Sequence, residues 1–207
     1  IVCRGFPEKD VALGNALVDM YVQKGYGDEA LICVKEMESE GLSPDVVTYT
    51  CILAACGSIG AIEKGIFFHH EIVCKGLLEK DVVLGNALVD TYVTLGFLES
   101  AQKVFDTMPT RDVISWTALI GGNAKQGYGE EALKYFEEMQ LQGIRPNIVT
   151  FVCGLIACSS SGDIKMGVNL HAEVTRQGLE NDLLVGSTLV DMYAKCGSLA
   201  IAQEIFN

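Results

Sequence analysis

Three sets of side chains in this sequence invite a chemical reading. The first is His-x-Glu, written twice as His69-His70-Glu71 and His171-Ala172-Glu173. In zinc deaminases that pair serves a metal-bound water, but the chemistry also needs Pro-Cys-x-x-Cys downstream, and no Cys-x-x-Cys occurs here. The second set is the 8 cysteines, among which Cys51/Cys56 and Cys153/Cys158 share one spacing. In a chain this long and apolar they read as small buried residues in a reducing compartment, not as metal ligands or a disulfide framework. The third set is Asn15, Thr50, Asn86, Thr117 and Ser187, which recur at similar intervals, and so do Asp45, Asp81, Asp112, Asn147 and Asp182. Short amide, hydroxyl and carboxylate tips donate and accept hydrogen bonds; they select among partners but do not by themselves break bonds. No Ser-His-Asp set or catalytic carboxylate pair emerges. Gly25-Tyr26-Gly27 and Gly127-Tyr128-Gly129 lack the strand context and length of a phosphate loop. The residues point to binding without catalysis, cofactor or metal.

What would hold such side chains in a row? The phrase GNALVD at Gly14–Asp19 returns at Gly85–Asp90, and GSTLVD stands at Gly186–Asp191. The separations are 71 and 101 residues, neither a common repeat length. The pairs Asp10-Val11, Asp45-Val46, Asp81-Val82, Asp112-Val113, Asn147-Ile148 and Asp182-Leu183 resolve this, because their spacings are 35, 36, 31, 35 and 35. One unit type recurs within a series of unequal units. The units are 11–45, 46–81, 82–112, 113–147 and 148–182, with partial units at 1–10 and 183–207.

Every complete unit carries the same grammar. Helical apolar spacing runs up to a glycine: Gly25, Gly60, Gly96, Gly127, Gly162 or Gly197. Glycine after such a run marks a helix C-terminus, because it accepts the left-handed conformation. A second amphipathic run follows, with acidic residues such as Asp28, Glu29, Glu130 and Glu131 at its start, where the helix dipole favours them. Ala101/Phe105, Ala132/Phe136 and Ala202/Phe206 place a small and a large residue one turn apart on one face, which suits close helix packing. The expected fold is all-α: an alpha-alpha superhelix, a solenoid of antiparallel helical hairpins with no internal domain boundary. A hydrophobic fraction of 49% supplies the core. No apolar run reaches the roughly eighteen residues of a membrane helix, so no membrane partner is expected. The sequence starts at Ile1, stops within a unit, and shows no legible signal or transit peptide; a segment of a longer array is expected.

In detail the units resemble the pentatricopeptide repeat (PPR) family, in its plant variety with alternating P, L and S units. Val46-Val47-Thr48-Tyr49-Thr50 and Ile148-Val149-Thr150-Phe151 resemble the family's opening phrase. Asn86-Ala87-Leu88-Val89-Asp90-Thr91-Tyr92 and Val104-Phe105-Asp106-Thr107-Met108-Pro109 resemble its S unit. Trp116-Thr117-Ala118-Leu119-Ile120 with Glu131-Ala132-Leu133 and Phe136-Glu137-Glu138-Met139 resembles its P unit, and Asn169-Leu170-His171 its L unit. The unit 11–45 opens like an S unit and finishes like a P unit, as a fusion would.

The resemblance implies single-stranded RNA binding, one base per repeat, in organellar RNA editing or processing. It implies a mitochondrial or chloroplast location and small organellar editing-factor proteins as further partners. The fifth residue of a unit and its last residue would select the base together: Asn15 with Asp45, Thr50 with Asp81, Asn86 with Asp112, Thr117 with Asn147, and Val152 with Asp182. Ser187 has no partner before the chain stops. By the family's rule these pairs spell 5′-U-G-U-A-N-purine. The second residue, Ala12, Val47, Val83, Ile114, Val149 or Leu184, would sandwich neighbouring bases. Lys125 and Lys195, with Arg111 and Arg145, could meet phosphates, although the net charge of −12 opposes indiscriminate RNA binding. The alternative is a protein-binding solenoid of the tetratricopeptide kind.

Overall fold

The computed structural model describes residues 10–206. Twelve helices span them: α1 (Val11–Gln23), α2 (Gly27–Ser39), α3 (Val46–Ser58), α4 (Ile62–Cys74), α5 (Val82–Thr94), α6 (Leu98–Thr107), α7 (Val113–Lys125), α8 (Gly129–Leu141), α9 (Ile148–Ser161), α10 (Ile164–Arg176), α11 (Leu183–Lys195) and α12 (Leu199–Phe206). No strand occurs among the described residues, so the all-α expectation matches. The partial unit 1–10 lies outside them except for Asp10. No described helix is long and apolar enough to cross a membrane.

The helices form two compact units, 1–110 and 111–207. In the first, α1, α3 and α5 pack side by side, and α2, α4 and α6 back onto them. In the second, α7, α9 and α11 do the same, with α8, α10 and α12 behind. Within each unit the odd-numbered helices are therefore partners of one another, and the even-numbered helices form a second layer.

The two helices of a hairpin start differently. Each odd helix is capped by the last side chain of the unit before it: Asp10, Asp45, Asp81, Asp112, Asn147 and Asp182 all accept from backbone N–H groups of the first turn. Tyr26, Ala61, Phe97 and Tyr128 begin even helices with no side-chain cap. There Asp28, Glu29, Glu63, Glu99, Glu130 and Glu131 face the positive end of the dipole instead, as the sequence suggested. The turn between them is a Schellman motif. In the first hairpin Gly25 N–H bonds Val22 O and Tyr26 N–H bonds Tyr21 O at 2.8 Å, with Gly25 at φ 77°.

Packing is close enough to exclude a methyl group at several glycines. A Cβ on Gly14 would lie 2.5 Å from Met37, and one on Gly85 would lie 2.7 Å from Met108. This explains the glycine of GNALVD: it admits the methionine of its own unit's second layer. A Cβ on Gly129 would meet the backbone oxygen of Ala157 at 2.4 Å, where nothing flexible can yield. Ala101/Phe105 and Ala132/Phe136 are buried as expected. Phe206 is not, being 80% exposed on α12. No helix packs over that last turn among the described residues.

Cys33, Cys56 and Cys158 are buried, Cys51, Cys153 and Cys196 half-buried, and Cys74 exposed; none of these is in a disulfide. Burial pushes the Cys56 thiol up to about 11 and the Cys158 thiol up to about 12, so both stay protonated and inert.

Gly129→Ala is expected to lower stability by about 1–3 kcal/mol in a denaturant titration, through overpacking against backbone. Gly186→Ala, whose Cβ would have only Glu180 O within reach at 3.8 Å, is expected to be neutral or to stabilise by up to about 1 kcal/mol.

Candidate functional site

The sequence singled out the fifth residue of each unit, and those side chains sit one and a half turns into the odd helices. Asn15 on α1 is 7% exposed, with both ends of its amide engaged. Its Nδ2 donates to Asp45 Oδ1 at 3.0 Å, and its Oδ1 accepts from the Thr48 hydroxyl at 2.5 Å. The fifth and last residues of this unit therefore touch directly. The same Asp45 oxygen accepts from Thr48 N–H at 2.9 Å, so the carboxylate that caps α3 also holds Asn15. Burial pushes the Asp45 carboxyl up, but the donors from Thr48 and Asn15 outweigh it and hold the group below its ordinary value.

The second compact unit repeats the arrangement with other side chains. Thr117 Oγ1 lies 2.7 Å from Thr150 Oγ1, and Thr150 donates to Asn147 Oδ1 at 3.0 Å. Thr117 and Asn147 are thus linked through one buried hydroxyl.

The remaining residues differ. The Thr50 hydroxyl donates to Val46 O at 2.8 Å, back along its own helix. Asp81 accepts from Val83 and Leu84 N–H, and no hydrogen bond joins it to Thr50. Val152 is buried and apolar, while Asp182 caps α11. Asn86 is buried on α5 in the first compact unit; Asp112 caps α7 in the second. Ser187 is exposed and donates to Leu184 O at 3.0 Å.

The second residues are apolar and similarly exposed in both compact units. Val47, Val83, Ile114, Val149 and Leu184 are 54%, 55%, 58%, 53% and 54% exposed, and Ala12 is also open. Ordinary helix-packing residues would be covered; these are not.

Within their bounds the odd helices carry Asp19, Asp90 and Asp191 as acids and Lys125 and Lys195 as bases, and the acids Asp10, Asp45, Asp81, Asp112 and Asp182 stand at their N-termini. Lys195 is held by Asp191 at 2.7 Å in an exposed pair one turn apart. Lys125, also exposed, has no ion pair among the described residues. Gly121 occupies the corresponding upstream place on α7.

The His-x-Glu motifs disperse onto separate neighbours. His69 Nδ1 lies 2.8 Å from Tyr92 OH and His171 Nδ1 lies 3.0 Å from Tyr193 OH. Glu71 accepts from Tyr49 OH and pairs with Lys75, each at 2.6 Å. Glu173 takes Arg176 and Gln177. His69, His171 and Glu71 tie second-layer helices to odd ones, Glu173 bonds only within its own helix end, and no group able to hold a metal ion occurs among the described residues.

Comparison with known proteins agrees with this geometry. The PPR repeat family model matches residues 9–58 and 111–160, and the PPR repeat model matches residues 47–77 and 86–113. The chain belongs to the pentatricopeptide repeat family. A chloroplastic PPR protein of Arabidopsis thaliana is 34% identical over 98% of this chain and 33% of its own length. Another, carrying the qualifier mitochondrial, is 34% identical over 97% of this chain and 32% of its own. The chain thus spans about a third of these relatives. Among solved structures, maize PPR10 superposes with TM-score 0.68 at 23% identity, over 93% of this chain and 28% of that one. PPR10 in complex with an 18-nt psaJ RNA element superposes with TM-score 0.71 at 19% identity, over 86% and 26%. These likenesses show the fold.

The cap role of the unit-final residue and the bridging hydroxyl three residues later escaped the sequence reading. The signal was present in Asp45-x-x-Thr48, Asp112-x-x-Ser115 and Asn147-x-x-Thr150, each a capping-box spacing in this PPR chain.

Asp45→Ala is expected to lower stability by about 1–2 kcal/mol near neutral pH, because α3 loses its cap. The folded-state pKa of Asp45 is depressed, so its contribution is complete above the ordinary carboxylate value and fades as pH falls through the folded value. The parent-minus-variant difference in urea midpoint should therefore shrink between about pH 5 and pH 2.

Proposed function

We propose that this chain is a segment of one continuous PPR array that reads single-stranded RNA along its odd helices, one nucleotide per unit. It would serve organellar RNA editing or processing whose chemistry lies elsewhere, so the chain binds and does not catalyse. The observation that carries the reading is the direct contact of Asn15 with Asp45, beside an exposed apolar second residue. A selective hydrogen-bonding pair next to an apolar platform is what a base needs: an edge to be read and a face to be covered. The structure of PPR10 with an RNA element supports RNA as the ligand class. Relatives named chloroplastic and mitochondrial support an organelle.

On this reading Asn15/Asp45 and Asn86/Asp112 take U, Thr50/Asp81 takes G and Thr117/Asn147 takes A. Ala12, Val47, Val83, Ile114, Val149 and Leu184 cover base faces. Lys125 is the available phosphate contact, since Lys195 is already neutralised by Asp191. With so few free cations on the reading face, affinity rests on base contacts and stays modest for this segment. A protein partner would use another surface. A groove of about 630 Å³ between α2 and α4, with Ile32 56% and Phe67 63% exposed, would take apolar side chains of such a partner.

The test is titration of the chain with UGUA-containing single-stranded RNA. Affinity should fall between low and moderate salt, and Lys125→Ala should weaken all sequences alike and flatten the salt dependence. Asn86→Thr should move the preference at the third nucleotide from U to G by about ten-fold. An equal loss for every RNA would assign Asn86 to packing alone, and salt-independent binding would sink the phosphate contact.

A further inference from the structure

The third residue of a unit is of two kinds. It is Leu13, Leu84 or Val185 in some units and Thr48, Ser115 or Thr150 in the others. Thr48 and Thr150 are 0% exposed, so neither can touch a ligand. Each completes the capping box of its own helix: Asp45 N–H donates to Thr48 Oγ1 at 3.1 Å, and Asn147 N–H donates to Thr150 Oγ1 at 3.2 Å. Each also reaches back to the fifth residue of the preceding unit, at 2.5 Å to Asn15 Oδ1 and 2.7 Å to Thr117 Oγ1. Where the third residue is Leu84, Thr50 has no such bridge and turns onto Val46 O.

The consequence is orientational. The terminal torsion of an asparagine is broad and its two ends differ only in donor or acceptor character. Asn15 is tethered at both ends: Thr48 donates to its oxygen, while its nitrogen donates to Asp45. One N–H and one carbonyl lone pair remain, with fixed polarity and spacing. Losing either tether lets the amide tilt and blurs that pattern.

We propose that the buried third-residue hydroxyl is a positioning residue for base selection by the preceding unit. Thr48 sets the amide of Asn15, and Thr150 sets the hydroxyl of Thr117. Readout then depends on three side chains, and units followed by Leu84 or Val185 read loosely. This rests on the RNA-reading function proposed above.

The experiment compares the parent chain with Thr48→Val, Thr48→Ser and Thr150→Val, each confirmed folded by its circular dichroism melt. The probes are UGUA-containing RNAs changed singly at the nucleotide facing Asn15 or at that facing Thr117. Thr48→Val should cut the preference for U over C at the first site by about five-fold, the worth of one hydrogen bond. Preferences at the other nucleotides should stay unchanged, and Thr48→Ser should restore the ratio to within about two-fold of the parent. Thr150→Val should do the same to the preference for A facing Thr117. It lies in the other compact unit, so a folding failure of one variant leaves the other decisive. Uniform weakening with every ratio kept would overturn the positioning role and leave the RNA reading intact. A parent chain with no base preference at either nucleotide would overturn both.

Discussion

The last side chain of a unit is the constraint on which this architecture turns. It must accept from the free N–H groups of the next odd helix, or that helix begins with unpaired donors. A short side chain with an acceptor oxygen meets the need, and Asp or Asn stands at every boundary. Having been placed for capping, the same oxygen lies within reach of the fifth residue of the unit it closes, as Asp45 does for Asn15. Structural demand therefore explains why the boundary residue is acidic or an amide. It does not explain which of the two is used, nor why the fifth residue is polar, since Asn15 caps nothing.

Charge placement follows from the same division of labour. Odd helices have side-chain caps; the even helices α2, α4, α6 and α8 lack them and carry acids in their first turns, while α10 is capped by Asp163 and has none. More of the acids lie in the second layer, but the cap residues Asp10, Asp45, Asp81, Asp112 and Asp182 keep the face bearing Asn15 and Val47 acidic. Nucleic-acid binding there has to rest on base contacts more than on attraction of phosphates. Of the exposed acids within the odd helices, Asp19 accepts from Gln23 at 2.6 Å and Asp191 pairs with Lys195 at 2.7 Å, and Asp90 is exposed as well.

The sequence made the hairpins legible because glycine, apolar spacing and boundary acids are local signals repeated several times. Gly25 needs a positive φ wherever its neighbours lie, so its meaning survives without coordinates. The fifth and last residues were also visible as a recurring pair. What could not be read was contact across a unit boundary. Thr48 looks like one more hydroxyl in a helix until α3 is set against α1, and only then does its oxygen prove to serve two units. Lys195 and Lys125 share a register within their helices. The difference lies one turn upstream, where one helix has Asp191 and the other Gly121. Phe206 matched a packing motif, but burial depends on what covers a residue and not on its spacing from Ala202.

The two kinds of third residue give these differences a common physical origin. A buried hydroxyl at that place already serves the capping box of its own helix, and it also lies within hydrogen-bond reach of a polar fifth residue of the preceding unit. An apolar side chain there makes no such demand, leaving the facing threonine to bond its own helix, as Thr50 does, or allowing a valine, as at Val152. Rigid polar contacts and apolar packing are thus two self-consistent solutions to the same interface between odd helices. Both occur within each compact unit, so the fifth residue is held across the interface in some hairpins and bonds only its own helix in others, as Asn15 and Thr50 show.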